Sequence, residues 1–151
     1  MSDWRRAEPA DAVALTGLER DANVVALAHV FPMDTHPFPF DGVLARWRSV
    51  LADAQVVVDV VEGRDGLDAY VAHDRTWLRH LAVRPACWGR GLAGDAVARA
   101  TAAGASRLWC LADNHRARGL YDHLGWRPTE LTQTAEWSPY PVEIEYARIG
   151  A

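Results

Sequence analysis

The chain has 151 residues, half of them hydrophobic, which suffices for one buried core and is too short for two ordinary domains. We therefore expect a single domain over residues 1–151. The net charge of -4 and the pI of about 5.8 argue against a general nucleic-acid-binding protein, which normally carries a basic face.

No apolar run approaches the roughly 20 residues that span a bilayer, and the first residues lead at once into charged ones. Neither export nor contact with a membrane is expected. Cys87 and Cys110 lie far apart and lack neighbours at metal-ligand spacing, so the sequence indicates neither a disulfide framework nor a metal site. A reducing cytoplasm fits this pattern best.

The N-terminal third predicts a strand, a helix, a loop and a second helix. Residues 4–7 form the short strand, and Pro9 is suited to the first position of the helix that follows. Three prolines and three phenylalanines within residues 31–40 exclude regular structure there. Asp41 is then a candidate N-cap for the second helix.

From residue 56 onward, strands dominate the pattern. The pattern predicts a hairpin from residues 56–61 and 67–73, and a further strand over residues 76–83. A glycine-rich loop then begins a helix that ends near Gly104. A strand over 107–112 and a short helix from Asn114 to Gly125 follow. The last two strands are predicted at 130–137 and 142–149, on either side of a proline-rich turn.

The loop from Trp88 to Gly94 carries the strongest chemical signal, because glycines at the start of a helix leave backbone N–H groups free to bind a phosphate. The glycines also match GxGxxG, and Asp113 lies about 20 residues beyond, as in a dinucleotide-binding fold. Two features oppose that reading: Pro85 lengthens the spacer after the strand, and the remaining chain offers too few strand-helix units. Glycines that serve only packing remain an alternative.

Residues 78–126 resemble the GNAT superfamily of N-acetyltransferases. The loop is similar to the family pattern Q/RxxGxG/A, although Trp88 stands where the family prefers glutamine or arginine. A second motif matches at Asn114, Ala117, Tyr121 and the pair Gly125-Trp126. The resemblance implies an α+β, three-layer fold: a mixed, mostly antiparallel sheet of six or seven strands, flanked by about four helices, with a parallel strand pair that splays apart at the cofactor site.

The resemblance further implies acetyl-coenzyme A as acyl donor, with no metal. Its pyrophosphate would lie on the glycine loop, and its pantetheine arm would pair with the strand before that loop. The residues implied in cofactor binding are Leu81, Ala82, Val83, Trp88, Gly89, Arg90, Gly91, Leu92, Ala93, Gly94, Asn114, Ala117 and Tyr121.

Two residues are candidates for catalysis. By resemblance, Tyr121 is the general acid that protonates the departing thiolate, although a core tyrosine would show the same helical spacing. Many family members carry a carboxylate on the strand before the loop, where this sequence has Arg79 and His80. His80 is the candidate general base, because imidazole titrates near neutral pH. Asn114 caps a helix, contacts the cofactor, or does both.

The expected acceptor is a primary amine of a small molecule or of a protein. Residues 31–40 and 136–140 are expected to flank its channel, where Asp34, Asp41, Glu136 and Glu143 would attract a cation. Arg79 is an alternative contact for an acceptor carboxylate. Two other functions stay open: a catalytically silent acyl-coenzyme A sensor and, with less support, an NAD(P)-dependent reductase. A homodimer is compatible with the family, but no residue requires one.

Overall fold

The computed structural model describes residues 3–150, and its strands and helices alternate in the order expected from the sequence. The strands are β1 (Trp4–Arg6), β2 (Val57–Gly63), β3 (Gly66–His73), β4 (Trp77–Val83), β5 (Arg107–Leu111), β6 (Trp126–Thr134) and β7 (Val142–Arg148). The helices are α1 (Ala12–Ala26), α2 (Phe40–Ala52), α3 (Leu92–Ala102) and α4 (His115–His123). Short 3-10 turns precede α1 and follow β4.

All seven strands form one sheet in the order β1-β2-β3-β4-β5-β7-β6. Every neighbouring pair is antiparallel except β4 and β5, which are parallel. This is the mixed, mostly antiparallel sheet that the resemblance implied. A doubly wound dinucleotide-binding fold needs successive parallel strands, and the described residues contain a single parallel pair, so the Rossmann interpretation of the glycine loop is wrong.

Helices cover both faces of the sheet and divide the core into two main clusters. On one face, Leu15 of α1 and Trp47 of α2 pack with Tyr70 of β3. On the other, Val97 of α3 and Tyr121 of α4 lie in the same apolar cluster as buried residues of β4, β5 and β7. Helices α1, α2 and α3 turn their buried residues toward the sheet, at the spacing of an amphipathic helix.

Several boundaries differ from the sequence predictions by a few residues, and three of the differences have a clear physical cause. Strand β6 begins at Trp126 and not at residue 130, because Gly125 (φ 89°) ends α4 and lets the chain turn directly into the sheet. Helix α2 begins at Phe40, so Asp41 lies in its first turn, where a carboxylate is also favourable, and is not the N-cap. Pro9 starts a 3-10 turn, and α1 follows only from Ala12.

None of the helices within residues 3–150 combines the length and the apolar composition needed to cross a membrane.

Candidate active site

The parallel strands β4 and β5 are hydrogen-bonded neighbours only at their first residues. Trp77 pairs with Arg107 and Leu78 with Leu108, and no pairing follows. In the β3–β4 ladder, Leu78 pairs with His73 and His80 with Ala72, which leaves Arg79 as an extra residue in β4. Such a β-bulge bends its strand. The bend accompanies the separation of β4 from β5, so the splayed pair implied by the resemblance is present.

The bulge also decides which way the residues after it point. Leu78, before the bulge, packs in the cluster beneath α3. His80, after it, lies on the opposite face, where its ring centroid is 5.2 Å from that of Trp47 in α2. A regular strand would place residues 78 and 80 on the same face. The extra residue therefore turns His80 toward the α1–α2 layer.

A cleft of about 450 Å³ runs along β4, the glycine loop and the start of α4. It brings together most of the predicted cofactor-binding residues: Leu81, Ala82, Val83, Trp88, Gly89, Gly91, Leu92, Ala93, Gly94, Asn114 and Ala117. Two predicted residues do not line it. Arg90 is exposed beside the cleft, and Tyr121 lines the neighbouring cavity. Helix α1 closes the far wall through Asn23 and Ala26.

The glycine loop shapes one end of the cleft as a phosphate site. Gly89 and Gly91 both have φ 83°, a left-handed conformation that disfavours side chains, and Gly91 occupies the N-cap position of α3. The first backbone N–H groups of a helix have no partner within it and carry the positive end of the helix dipole. The residues that carry these groups, Leu92, Ala93 and Gly94, line the cleft, an arrangement that suits a pyrophosphate.

Trp88, the departure from the family pattern, connects the loop to both walls of the cleft. Its indole Nε1 donates a hydrogen bond of 2.9 Å to the Val83 carbonyl. The guanidinium of Arg116, at the start of α4, lies 3.7 Å from the centroid of the Trp88 ring. Sequence reasoning missed Arg116, although its position inside the second motif was a signal. Trp88 thus positions a cation at the cleft that the usual glutamine would not hold.

We expect Trp88→Phe to lower the free energy of unfolding by about 1 kcal/mol, because it removes the hydrogen bond to Val83 and keeps a ring beneath Arg116. Urea denaturation measures the change. Trp88→Ala, which also loses the ring, is expected to cost more. A Trp88→Phe protein as stable as the wild type would show that the indole N–H is not a stabilising contact.

A second cavity, of about 680 Å³, opens where β4 and β5 separate, and Tyr121 lies in its wall. Tyr121 is 6% exposed, and its hydroxyl makes no hydrogen bond to another residue between 3 and 150. Burial, together with the nearby Cys110, raises the pKa of Tyr121 above its usual value. The phenol therefore keeps its proton at any ordinary pH.

Asn114 lies between the two cavities and lines both. Its side-chain oxygen accepts a 3.1 Å hydrogen bond from the backbone N–H of Ala117, so its predicted role as the N-cap of α4 is confirmed. Contact with a cofactor stays a prediction.

His80 also lines the larger cavity, in a half-buried position. Burial, and then the positive charges of Arg46 and Arg79, lower the pKa of His80 to about 3. An imidazole with this pKa is uncharged at neutral pH and holds a transferred proton weakly. That property limits the proton chemistry open to it.

A half-buried carboxylate that sequence reasoning missed, Glu19, lines the same cavity as His80. One oxygen of Glu19 accepts hydrogen bonds from Arg46, from Nε1 of Trp47 (3.0 Å) and from the hydroxyl of Tyr70 (3.3 Å). A signal was present, because Glu19 stands four positions after Leu15, on the apolar face of α1. These three hydrogen bonds hold the Glu19 carboxylate in the wall of the cavity.

The two loops predicted to flank the acceptor face each other. A third cavity, of about 460 Å³, separates Phe31 and its neighbours from Glu136, Trp137 and Tyr140. Trp137 packs so closely on the first turn of α2 that a Cβ on Gly42 would lie 2.8 Å from its ring.

The charged residues named from the sequence divide into two groups. Glu136 and Glu143 line the 680 Å³ cavity, whereas Asp34 and Asp41 lie outside all three cavities described here. Nε of Arg79 pairs with Asp74 at 2.8 Å. Residues 3–150 contain no group of three or more His, Cys, Asp or Glu side chains suited to hold a metal ion.

The fold and both motifs agree with a comparison against family models. The model described as "Acetyltransferase (GNAT) family" matches residues 2–126. The chain therefore belongs to the GNAT acetyltransferase family, whose members use acetyl-coenzyme A as acyl donor. No sequence among curated proteins matches this chain significantly.

Solved structures show the same fold at low sequence identity. Apo YjaB from Escherichia coli is 17% identical with a TM-score of 0.77, and the match covers 100% of this chain and 99% of that one. An acetyltransferase from Thermus thermophilus is 19% identical with a TM-score of 0.69, and the match covers 98% of this chain and 99% of that one. The PaiA N-acetyltransferase from Thermoplasma acidophilum was solved with coenzyme A. It is 10% identical with a TM-score of 0.68, and the match covers 96% of this chain and 98% of that one.

Proposed function

We propose that this protein is an acetyl-coenzyme A-dependent N-acetyltransferase, in which a primary amine of a small molecule or of a protein attacks the thioester directly. One observation carries the proposal: β4 and β5 separate after Leu78, and the glycine-loop cleft and the cavity that contains the protonated Tyr121 both open along this gap. A structural neighbour, the PaiA N-acetyltransferase, binds coenzyme A, which supports the same donor here.

The residues along the cleft have distinct tasks in this proposal. The first-turn N–H groups of α3 and the guanidinium of Arg116 bind the anionic pyrophosphate. The peptide groups of Leu81 and the N–H of Val83, left without a β5 partner, bind the pantetheine amides as an added strand would. These contacts place the thioester in the gap beside Tyr121, with the acceptor on the side of α1 and α2.

Tyr121 supplies the proton for the departing thiolate. Its raised pKa keeps the phenol protonated, and its hydroxyl has no competing partner among the described residues. Direct attack needs no enzyme nucleophile, which agrees with the state of Cys110 in the same cavity. Burial raises the pKa of that thiol to about 12, so the thiolate needed for covalent catalysis is not formed at neutral pH.

His80 stays the candidate for contact with the attacking nitrogen. Because its pKa is about 3, its role is to accept a hydrogen bond from an amine that is already neutral, and the proton then leaves through solvent. Transfer therefore becomes faster as pH rises toward the pKa of the acceptor, without an inflection caused by His80 near pH 6.5.

The lowered pKa of His80 also predicts how stability depends on pH. The unfolded state binds a proton at residue 80 near pH 6.5 and the folded state only near pH 3, so this residue costs stability as pH falls through that window. We expect His80→Gln to lose less unfolding free energy than the wild type between pH 6.5 and 4.5. Parallel stability curves, measured by urea denaturation, would contradict the assignment.

Titration calorimetry and thiol release together test the proposed function. We expect acetyl-coenzyme A to bind, NADH not to bind, and thiol to appear only when an amine is added. Binding without release for any amine would favour the acyl-coenzyme A sensor, which the weak basicity of His80 and the missing strand carboxylate keep as second candidate. Binding of NADH in place of acetyl-coenzyme A would overturn both.

A further inference from the structure

We propose that the acceptor is an amine that carries a second cationic group and no carboxylate, and that this second group binds between Glu143 and Trp109. The inference rests on the proposed function and names its substrate class. It concerns the 680 Å³ cavity, on the side of the β4–β5 gap away from the glycine loop.

The charged side chains of the cavity wall leave no cation free for an acceptor. Both cationic side chains in the wall are already paired, Arg46 with Glu19 and Arg79 with Asp74. His80 is uncharged at neutral pH. No cation of the wall is left for an acceptor carboxylate, so the alternative role of Arg79 as a carboxylate contact loses its support.

Two carboxylates of the same wall have no cationic partner within residues 3–150. Glu136 forms no ion pair, and Glu143 accepts only a 2.8 Å hydrogen bond from the neutral amide of Gln133. The wall therefore has an excess of negative charge. Because Glu143 is half-buried, its carboxylate is partly shielded from water, which strengthens its attraction for a bound cation.

The register of the sheet places Glu143 beside an aromatic ring. Leu111 of β5 is opposite Glu143 of β7, and Trp109 is opposite Glu145, so all four side chains are on one face. Trp109 and Glu143 are diagonal neighbours on that face, about 7–8 Å apart and within reach of long side chains. Glu145 is buried and already bound by Arg107 and Thr129, which leaves Glu143 as the available carboxylate.

Trp109 is held in place by a second tryptophan. The rings of Trp77 and Trp109 stack with centroids 6.0 Å apart and planes 8° from parallel, and both line the cavity. A tryptophan face attracts an ammonium or guanidinium group, and a nearby carboxylate adds to that attraction. The pair of Trp109 and Glu143 is thus suited to a cation and ill suited to an anion or a neutral alkyl end.

The distance between this pair and the reaction centre sets the length of the acceptor. The attacking nitrogen lies in the gap between β4 and β5, and Glu143 belongs to β7, the next strand beyond β5. One to two strand spacings is about 5–10 Å. A linear chain of about five carbons between two amines spans this distance.

Three acceptors of matched length test the inference: cadaverine with a second ammonium, n-pentylamine with none, and aminovalerate with a carboxylate. We expect kcat/KM, measured by thiol release, to be about tenfold higher for cadaverine than for pentylamine and lowest for aminovalerate. In Glu143→Gln the ratio of cadaverine to pentylamine should fall toward one. Glu130→Gln, an exposed change in β6 outside the cavity, is the matched control and should keep the wild-type ratio.

The outcomes separate this inference from the proposed function. Equal turnover of the three amines, or a preference for aminovalerate, overturns the cationic subsite and leaves the N-acetyltransferase intact. A different outcome is that calorimetry shows cadaverine binding to the protein with coenzyme A, more weakly in Glu143→Gln, while no amine gives thiol release. That outcome supports the subsite and contradicts catalysis. A ratio in Glu143→Gln equal to that of the wild type overturns the assignment of Glu143.

Discussion

Tyr121→Phe is expected to lower kcat by about 10²- to 10³-fold, the range of a lost general acid, and to leave the Kd of acetyl-coenzyme A near the wild-type value. The hydroxyl makes no hydrogen bond to a described residue, so its removal leaves the apolar cluster intact. The thiolate must then leave without a positioned proton. Stopped assays for kcat and calorimetry for Kd measure the two quantities.

Tyr146→Phe is the matched control. Tyr146 belongs to the same aromatic group, with its ring centroid 5.9 Å from that of Tyr121, and its hydroxyl accepts a 2.8 Å hydrogen bond from Arg118. This substitution should lower stability by about 1 kcal/mol and affect kcat far less. Equal losses of kcat in the two variants, or wild-type turnover in Tyr121→Phe across the pH range, would sink the general-acid assignment.

Gly94→Glu is expected to weaken acetyl-coenzyme A binding at least about tenfold, because it places an anion in the first turn of α3, the proposed site of the pyrophosphate. Gly94 is a better site for this test than Gly89 or Gly91. Its φ is not positive, and a Cβ there meets no atom within 4 Å, so the protein tolerates the side chain.

Gly94→Gln separates charge from size. It introduces a side chain of the same length without the negative charge, and we expect its Kd to lie much nearer the wild type. Salt should reduce the difference in Kd between the two variants, since screening weakens the repulsion between the introduced carboxylate of the first variant and the pyrophosphate. If Gly94→Glu binds acetyl-coenzyme A as tightly as Gly94→Gln does, the phosphate is not held at the start of α3.

Most of the fold was predictable because its signals are local. The β-branched run before Gly63 and the proline-containing loop before Phe40 mark element boundaries without help from tertiary contacts. The start of β6 was missed because residues 126–129 contain a proline and two charged or polar residues, a poor strand pattern. Their ladder with β7 stabilises them, and the register shifts just after Pro128.

The candidate site was predictable only where a motif carried it. The glycine loop is one continuous stretch of sequence, and Asn114 to Tyr121 is another. The fold brings most residues of these two motifs to one cleft. Glu19 and Trp109 belong to no motif and become neighbours of the site through α1 packing and strand register. The low pKa of His80 could not be predicted from the sequence either, because it depends on burial and on Arg46, which is distant in sequence.

The proposed function requires that an acetyl group passes from acetyl-coenzyme A to an amine nitrogen. Mass spectrometry of the products, after incubation of the protein with cadaverine and acetyl-coenzyme A labelled with heavy carbon in the acetyl group, tests it most directly. The proposed function predicts labelled N-acetylcadaverine, formed in step with free coenzyme A and slowed in Tyr121→Phe. Label found only as acetate, or intact acetyl-coenzyme A with every amine tried, would contradict it.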